Sequence, residues 1–350
     1  MLISVVIPAY NVSSFIRRTL LSLLAQHDKE FEIIVVDDGS TDNTAITARE
    51  VFNENGFANW KIITQQNMGV AGARNKGLVA ASGKCVYFLD GDDYADVCFL
   101  NEVESCLRSN PEVDIVCWRY QTVDENEIPN GNYNQESKPK YRSLTGAEVL
   151  NEVLIDKRLR VWTGSVLYKR DFLSRHALKY TEGCTNGEDQ EFIYKALAHA
   201  NRVVFTDKVL SYYVKRKGSI SNSFNIRRFD VVAAMLRAGR YIEDLNRSDL
   251  RRISELILNQ VLVRNYIVNY MNCLKCLRGK GYSLFSANTY LQSLIGAEYP
   301  GLKDIVNARF SKLSGDFTYD LKKLVFYLSP VSYYFLYYLQ NRIRQSFGRK

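Results

Sequence analysis

The chain has 350 residues, of which 46% are hydrophobic and 24% are charged, as is ordinary for a globular protein. This length exceeds the usual size of one domain, so we expect one large domain with an appendage, or two domains. The seven cysteines have no disulfide-framework spacing, which favours reduced thiols in a cytoplasmic protein. The amino terminus, Met1 to Pro8, has no basic leader and predicts a first strand instead of a signal peptide.

The net charge of +8 is unevenly distributed along the chain. Residues 1–100 carry 8 Lys/Arg and 12 Asp/Glu, whereas residues 101–350 carry 38 and 26. A basic second part indicates an anionic partner, and nucleic acid and a membrane surface are the two candidates.

Strands and helices alternate four times within the first 90 residues. The β-branched run Ile3–Ile7 predicts a buried strand that stops at Pro8, and Ser13 or Ser14 is expected to cap the helix that follows. Further strands are predicted at 31–36, 61–64 and 85–89, and further helices at 43–52 and 71–81. This alternation predicts a doubly wound α/β unit, in which ligands bind beyond the carboxyl ends of the strands.

A polar cluster follows each predicted strand. The four clusters are Tyr10-Asn11, Asp37-Asp38, Gln66-Asn67-Met68-Gly69 and Asp90-Gly91-Asp92-Asp93. Together they predict one crevice for a polar, phosphorylated ligand. Neither the dinucleotide pattern G-x-G-x-x-G nor the P-loop occurs, so an NAD enzyme and an NTPase are not supported.

The last cluster places three carboxylates within four positions after the buried run Val86–Leu89. Such charges repel one another, and a divalent cation would explain their grouping because hard cations prefer carboxylate oxygen. The alternative is a solvated acidic turn.

These stretches resemble the inverting glycosyltransferases of the GT-A fold, family two. The resemblance is carried by Val5-Val6-Ile7-Pro8-Ala9-Tyr10-Asn11, Ile34 to Asp42, Asn67-Met68-Gly69, Ala73-Arg74-Asn75-Lys76-Gly77, Phe88 to Asp93 and Asn186-Gly187-Glu188-Asp189. It implies a GT-A domain over 1–222, with a nucleotide-binding half (1–115) and an acceptor half (116–222), followed by a helical region at 223–350. It also implies a Mn²⁺ or Mg²⁺ cofactor and a nucleotide-sugar donor, taken here as a UDP-sugar.

The resemblance assigns roles to particular side chains. Asp92 would contact the metal with Asp93 in support, and Asp90 would face the ribose or the donor sugar. Pro8, Tyr10 and Asp38 would line the nucleobase pocket. The full set expected to bind the nucleotide-sugar is Pro8, Tyr10, Asn11, Asp38, Asn67, Gly69, Arg74, Asp90, Gly91, Arg216 and Ser219. From the residues alone, Tyr10 could instead cover the sheet edge, and Arg74 could form a surface salt bridge.

The resemblance also implies that Asp189, with Glu188 beside it, is the general base; inversion by direct displacement needs one carboxylate opposite the leaving group. Both would open a helix at about 190–200, where a carboxylate can also serve as a cap. The resemblance also implies that a basic loop starting at Tyr212, after a strand at 203–205, closes over the diphosphate with Arg216 and Ser219; the alternative is a solvated surface loop. Trp162 is expected to stack on an acceptor sugar, although tryptophan is also common in cores.

From about Arg227 onward the pattern is helical, and 321–350 holds six basic residues and no acidic one. Its apolar, tyrosine-rich stretch is too short to span a membrane and is divided by Pro330. Basic residues beside aromatic ones suit a membrane interface, so peripheral contact through 321–350 is expected, with a helix packed on the core as the alternative. No nucleic-acid motif occurs, so that partner is discounted.

Together these features predict a bacterial, metal-dependent inverting glycosyltransferase at the inner face of the cell membrane. It would act on a glycan or lipid-linked acceptor in cell-surface polysaccharide synthesis, such as capsule or lipopolysaccharide. A sugar-phosphate nucleotidyltransferase is the second reading, but it would need a glycine-rich phosphate loop where this chain has Tyr10-Asn11. A catalytically silent glycan- or membrane-binding protein is the third.

Overall fold

The computed structural model describes residues 3–28, 30–129, 141–216 and 224–347. The chain forms two compact units, Met1–Ser219 and Ile220–Lys350. The sequence-based boundary after residue 222 lies outside the described residues, as does Ser219.

The amino-terminal unit is built on one mixed sheet. Its strands are β1 Ile3–Ala9, β2 Phe31–Asp37, β3 Trp60–Thr64, β4 Cys85–Phe88, β5 Tyr94–Ala95, β6 Ile115–Asp124, β7 Tyr141–Leu144, β8 Val166–Lys169 and β9 Val203–Lys215. Within the described residues the order is β3-β2-β1-β4-β8-β6-β9-β5, with β7 beside β9. The first four strands in that order are parallel, whereas β8 is antiparallel to both β4 and β6. The predicted α/β class is confirmed.

Helices cover this sheet, and the polar loops expected at the carboxyl ends of β1 to β4 do lie at one edge. The helices of the unit are α1 Ser13–Leu24, α2 Thr44–Glu54, α3 Gly69–Ala80, α4 Phe99–Ser109, α5 Gly146–Leu154, α6 Arg170–Arg175 and α7 Glu188–His199. A short 3₁₀ turn, Thr163–Ser165, precedes β8.

Two local predictions at the first strand and helix are wrong. β1 continues through Pro8, which aligns with Val36 of β2. The carbonyl of Val6 accepts from Leu89 on the β4 side, so Pro8, two residues on, faces that same side, where β4 has already ended. The strand therefore loses no hydrogen bond to the missing N–H.

The amino terminus of α1 is capped from another part of the chain and not by Ser13 or Ser14. The backbone N–H of Val12 donates to Thr44 Oγ1 at 2.9 Å, and that of Ser13 donates to Asp42 Oδ2 at 3.1 Å. Both acceptors lie at the start of α2, which ties the loops after β1 and β2 together.

Helix α3 approaches the sheet closely at Gly77. A Cβ placed there would lie 2.2 Å from Val6 Cγ1 and 3.3 Å from Val36 Cγ2, both in buried strands. This glycine sets the distance between the sheet and the helix that carries Arg74.

We expect Gly77→Ala to lower the free energy of unfolding by about 1–3 kcal/mol, because the methyl group overpacks a rigid interface. Val79→Ala, on the exposed face of the same helix, should change it by less than about 0.5 kcal/mol. Urea unfolding followed by tryptophan fluorescence measures both, since Trp60, Trp118 and Trp162 all lie in the amino-terminal unit. Equal effects of the two substitutions would contradict the close packing.

The predicted loop from Tyr212 is also wrong over Tyr212–Lys215, which belong to β9. β9 runs on because it pairs in parallel with β6 as far as Asp124, and because Tyr94 of β5 pairs with Tyr212. The predicted strand at 203–205 is only its first part.

The carboxyl-terminal unit is helical over its described residues, as predicted. Its helices are α8 Asp230–Asp244, α9 Arg251–Leu256, α10 Leu262–Gly279, α11 Leu284–Glu298, α12 Leu302–Phe310, α13 Phe317–Leu328 and α14 Pro330–Phe347. A π-helical turn, Ile257–Val261, joins α9 to α10, and Pro330 starts α14. None of the helices in 3–28, 30–129, 141–216 and 224–347 combines the length and apolarity that crossing a bilayer requires.

Candidate active site

The loops after β1 and β2 are joined through Asn11. Its Oδ1 accepts from the Thr41 N–H at 2.8 Å, and its own N–H donates to Ser40 Oγ at 3.0 Å. Asn11 has a φ of +52°, a left-handed conformation that asparagine tolerates better than most residues. Tyr10 beside it is 49% exposed, so its ring is available at the sheet edge.

Asp38 joins the loops after β2 and β3. Its Oδ1 accepts from Gln65 Nε2 at 2.7 Å and from the Met68 N–H at 2.9 Å. The Asn67 side chain accepts from the N–H of Gly69, whose φ is +78°. Gln65, and not Gln66 of the predicted cluster, is therefore the glutamine that contacts Asp38.

Side chains of α1 bind the backbone of the acidic turn after β4, which comprises Asp90 to Asp93. Thr19 Oγ1 lies 3.0 Å from the Gly91 carbonyl oxygen and 2.6 Å from that of Asp93, while Arg18 donates to the Asp92 carbonyl at 2.9 Å. A Cβ on Gly91 would approach the Pro8 carbonyl oxygen to 3.2 Å. The backbone of this turn is thus fixed against β1 and α1, and its side chains are left to interact with other groups.

Asp92 and Asp93 have different surroundings. Arg216 pairs with Asp92 at 2.5 Å, and its guanidinium also lies over the Phe15 ring. Asp93 is buried; its Oδ1 accepts from the Val214 N–H at 2.7 Å, while its Oδ2 has no hydrogen-bond partner among the residues that the structure describes. Burial raises the pKa of Asp92, which Arg216 opposes, and burial and the charge of Asp92 raise the pKa of Asp93 well above its ordinary value.

These carboxylates fit a divalent cation. They supply hard oxygen donors, one of them the buried Asp93 Oδ2, for which the described part of the chain offers no partner. A cation would offset the repulsion that raises their pKa values. Within the described residues no three His, Cys, Asp or Glu side chains are arranged to hold a metal by themselves. A cation here would therefore need further ligands from a phosphate group and water, as is usual for Mg²⁺.

Arg74 connects the acidic turn to α7. Only 3% exposed, it donates through Nη2 to Asp90 Oδ1 at 2.7 Å and through Nη1 to Glu188 Oε1 at 3.0 Å. Its guanidinium lies over the Tyr180 ring, 5.1 Å from the centroid. It is therefore a buried ion-pair bridge and not the surface salt bridge considered from the sequence.

The first turn of α7 carries Glu188 and Asp189. Gly187 precedes it with a φ of +82°, a conformation that glycine adopts without strain. Burial raises the pKa of Glu188 to about 7; the charge of Asp189 adds to the rise and Arg74 opposes it. Burial also raises the pKa of Asp189, again against the effect of Arg74, while Asp90 adds to it. Asp90 is thus close enough to interact electrostatically with Asp189.

Trp162 belongs to an aromatic cluster. Its ring centroid lies 5.2 Å from that of Tyr120 and 5.4 Å from that of Tyr213. Burial raises the pKa of Tyr213, and the charges of Asp93, Asp92 and Asp90 raise it further, so Tyr213 lies beside the acidic turn. The ring of Tyr213 therefore connects Trp162 to the carboxylates of the acidic turn.

Several residues of the site were missed in the sequence. Arg18, Gln65, Asn75, Tyr180 and Tyr213 all contact predicted site residues or the segments that carry them. Asn75 directly follows Arg74 in one of the motifs that carry the family resemblance, and this position could have identified it as a site residue. Tyr213 likewise lies in the stretch from Tyr212 that the sequence singled out, whereas Tyr180 gave no such signal because its contacts join distant parts of the chain.

Two curated relatives illustrate the similarity in sequence. The chain is 30% identical over 223 residues to the uncharacterized glycosyltransferase EpsJ of Bacillus subtilis, covering 63% of each protein. It is 29% identical over 277 residues to TarS of Staphylococcus aureus, a poly(ribitol-phosphate) β-N-acetylglucosaminyltransferase, covering 77% of this chain and 45% of the relative. The matches thus span less than two thirds of each relative's length.

Solved structures share the fold. S. aureus TarS 1–349 in complex with UDP-GlcNAc matches with a TM-score of 0.55 and 21% identity, over 86% of this chain and 93% of that one. A mannosyltransferase from Pyrobaculum calidifontis in complex with GDP-Man and Mn²⁺ matches with a TM-score of 0.53 and 16% identity, over 94% and 87%. At such identities the likeness establishes the fold alone.

The family model "Glycosyl transferase family 2" matches residues 4–174, which include the loops after β1 to β4 and Trp162. The neighbours with the same architecture are GT-A glycosyltransferases. Residues 4–174 therefore form a glycosyltransferase family 2 domain with a GT-A fold.

Proposed function

We propose that this protein is a metal-dependent, inverting glycosyltransferase that moves a sugar from a UDP-sugar to a hydroxyl of a glycan or lipid-linked acceptor. The observation that carries the proposal is the Arg74 bridge, which joins the acidic turn at Asp90 to Glu188, next to Asp189. An acidic cluster for a nucleotide diphosphate and a buried carboxylate for an acceptor thus belong to one site.

The relatives support the choice of donor and acceptor. TarS is named for transfer of N-acetylglucosamine to poly(ribitol-phosphate), and its amino-terminal part binds UDP-GlcNAc. For this chain we propose the same donor class, with binding through Pro8, Tyr10, Asn11, Asp38, Asn67, Gly69, Asp90 and Gly91. A role in bacterial cell-surface polysaccharide synthesis follows from this assignment.

Asp189 acts as the general base in the proposed reaction. Its carboxylate takes the proton of the acceptor hydroxyl, and the acceptor oxygen bonds to the anomeric carbon. The bond from that carbon to the phosphate oxygen breaks on the opposite face, and its electron pair leaves with UDP. The raised pKa of Asp189 strengthens it as a base, at the cost of activity when the pH falls below that pKa. Trp162, with Tyr213, offers an aromatic face for the acceptor sugar.

Asp92 would hold Mn²⁺ or Mg²⁺, with Asp93 in support. When bound, the cation would supply Lewis-acid stabilisation of the diphosphate leaving group. Arg216, which pairs with Asp92, would be released to contact the diphosphate if a cation were held by Asp92. Arg74, whose two Nη atoms are engaged by carboxylates, would contribute its positive charge beside the donor.

A cation and Arg216 would compete for the Asp92 carboxylate, and this competition predicts the effect of removing the arginine. We expect Arg216→Ala to tighten Mn²⁺ binding about three- to tenfold when no nucleotide is present, because a charge-assisted contact to Asp92 is lost. UDP affinity in the presence of Mn²⁺ should fall instead. Electron paramagnetic resonance of free Mn²⁺ measures the first effect and calorimetry the second, with the exposed Arg17→Ala as the control. Weaker binding of Mn²⁺ alone would contradict the competition.

The direct test of the function is release of UDP from a panel of UDP-sugars with Mn²⁺. We expect one donor to be turned over and chelation of the metal to stop the reaction. A nucleotidyltransferase would instead release pyrophosphate from UTP and a sugar phosphate, and a silent binding protein would bind a donor without turnover. Either result would overturn the proposal.

We further propose peripheral contact with the inner face of the cell membrane through 321–350. The exposed side chains of α13 include Leu321, Leu324, Tyr327 and Leu328, which share one face, and α14 exposes Phe335 to Tyr338. Phe326 and Lys323 are buried on the other face of α13. An exposed aromatic and apolar face with basic flanks suits an anionic lipid surface.

We expect the full chain to sediment with phosphatidylserine vesicles more than with phosphatidylcholine vesicles. The double variant Leu324→Glu/Leu328→Glu should lose most of that binding, because it places two charges on the apolar face. Val79→Glu, at an exposed site in the amino-terminal unit, is the control and should bind as the parent does. Undiminished binding of the double variant would contradict this contact.

A further inference from the structure

We propose that Asn75 is a positioning residue for the transfer reaction: acting from α3 through Tyr180, it sets where the first turn of α7 places Asp189. This inference rests on the proposed function, and it concerns how the general base is held and not what the reaction is.

Asn75 forms a two-way hydrogen-bonded bracket with the backbone of Tyr180. Its Nδ2 donates to the Tyr180 carbonyl at 2.9 Å, and the Tyr180 N–H donates to its Oδ1 at 2.9 Å. Nδ2 also lies 3.2 Å from Glu182 Oε1. A side-chain amide alone supplies a donor and an acceptor side by side, so neither Asp nor Leu, of similar size, can replace both bonds.

Tyr180 in turn packs between the two helices. Its ring stacks on Phe192 of α7 with centroids 4.0 Å apart and 6° between the planes, and the Arg74 guanidinium lies over it. The ring also meets that of Phe88 edge-on, with centroids 5.2 Å apart. Phe192 lies three residues after Asp189 in the same helix, so the two side chains share a face. A shift of Tyr180 is therefore passed on to the part of α7 that carries the base.

The ion-pair bridge to α7 also starts from α3. Arg74, directly before Asn75, pairs with Glu188, directly before Asp189. Two adjacent residues of α3 thus support α7: Arg74 through its ion pair with Glu188, and Asn75 through its hydrogen bonds to the backbone of Tyr180. The bulk of α7 has other support, since Phe192 also packs against Tyr168 and Phe88. Loss of the bracket should therefore displace the first turn without unfolding the unit.

The test compares Asn75→Ala and Asn75→Asp with the parent and with Asn53→Ala, an exposed asparagine in α2. We expect kcat for sugar transfer to fall about 10- to 100-fold in both Asn75 variants, because a misplacement of about 1 Å can cost that much. The Kd for UDP with Mn²⁺ should stay within about twofold, and the acid limb of the pH–kcat profile should move. Asn53→Ala should match the parent throughout.

Amide hydrogen exchange provides a readout that does not depend on turnover. We expect faster exchange over Glu188–Gln190 in Asn75→Ala than in the parent, with exchange in β1 and β2 unchanged. Exchange and kcat equal to those of the parent would overturn the proposal, and so would a parallel loss of kcat, UDP affinity and the unfolding midpoint, which marks a general structural role. If the parent turns over no donor, the proposed function fails, while the exchange result still decides whether Asn75 holds α7.

Discussion

Replacing Asp189 with Asn is expected to lower the rate of sugar transfer about 10²- to 10⁴-fold, the range associated with loss of a general base. The amide has nearly the same shape as the carboxylate but cannot accept the acceptor's proton at neutral pH. Binding of UDP with Mn²⁺ should stay within about twofold of the parent, because the acidic turn and the loops that hold it are unchanged. Donor turnover and calorimetry measure the two effects separately.

The same site predicts how the parent responds to pH. Since burial raises the pKa of Asp189, activity should fall as the pH drops through a value above the ordinary range of aspartate. Asp171→Asn, at an exposed surface pair with Arg175, is the matched control and should leave both rate and profile unchanged. If Asp189→Asn kept the parent's rate, another residue would have to be the base.

Replacing Arg74 with Met is expected to lower the free energy of unfolding of the amino-terminal unit by about 3–5 kcal/mol. The change removes the cation from a buried bridge and leaves the carboxylates of Asp90 and Glu188 without it. Arg17→Met, at an exposed pair with Glu54, should cost at most about 1 kcal/mol. Urea unfolding followed by tryptophan fluorescence reports on this unit.

The cost of Arg74→Met should shrink as the pH falls. The pKa of Glu188 is raised to about 7 by burial and by Asp189, and Arg74 opposes that rise. Without the arginine the pKa rises further, so Glu188 takes up a proton more readily in the folded variant than in the unfolded chain. Lowering the pH therefore raises the free energy of unfolding of the variant relative to that of the parent. A loss that grows toward low pH would contradict the buried bridge.

The sequence alone predicted the first strands of the sheet and the edge at which the polar loops meet. Buried β-branched runs such as Phe31–Val36 predict parallel strands, and the polar residues after each strand predict the edge where they meet. Helix starts were less predictable: α1 is capped by Thr44 and Asp42, 29 to 32 positions away, and local sequence contains no sign of this.

Interactions between distant segments account for the remaining differences. Arg74 carries the charge needed to contact a phosphate, but its neighbours Asp90 and Glu188 are set by the fold and not by local sequence. Likewise β9 continues to Lys215 because β6 and β5 pair with it, although Tyr212–Lys215 has the composition of a basic loop. The Asn75 bracket spans 105 positions and could be recognised only once α3 and the segment before α7 were placed together.

The most direct measurement is a crystal structure of Asp189→Asn with an intact UDP-sugar and Mn²⁺, since the inactive variant should leave the donor whole. We expect Mn²⁺ on Asp92 and the diphosphate, and the anomeric carbon between the diphosphate and the side chain at position 189. Binding of the donor away from the acidic turn, or a residue 189 on the same face of the sugar as the diphosphate, would contradict inversion at this site.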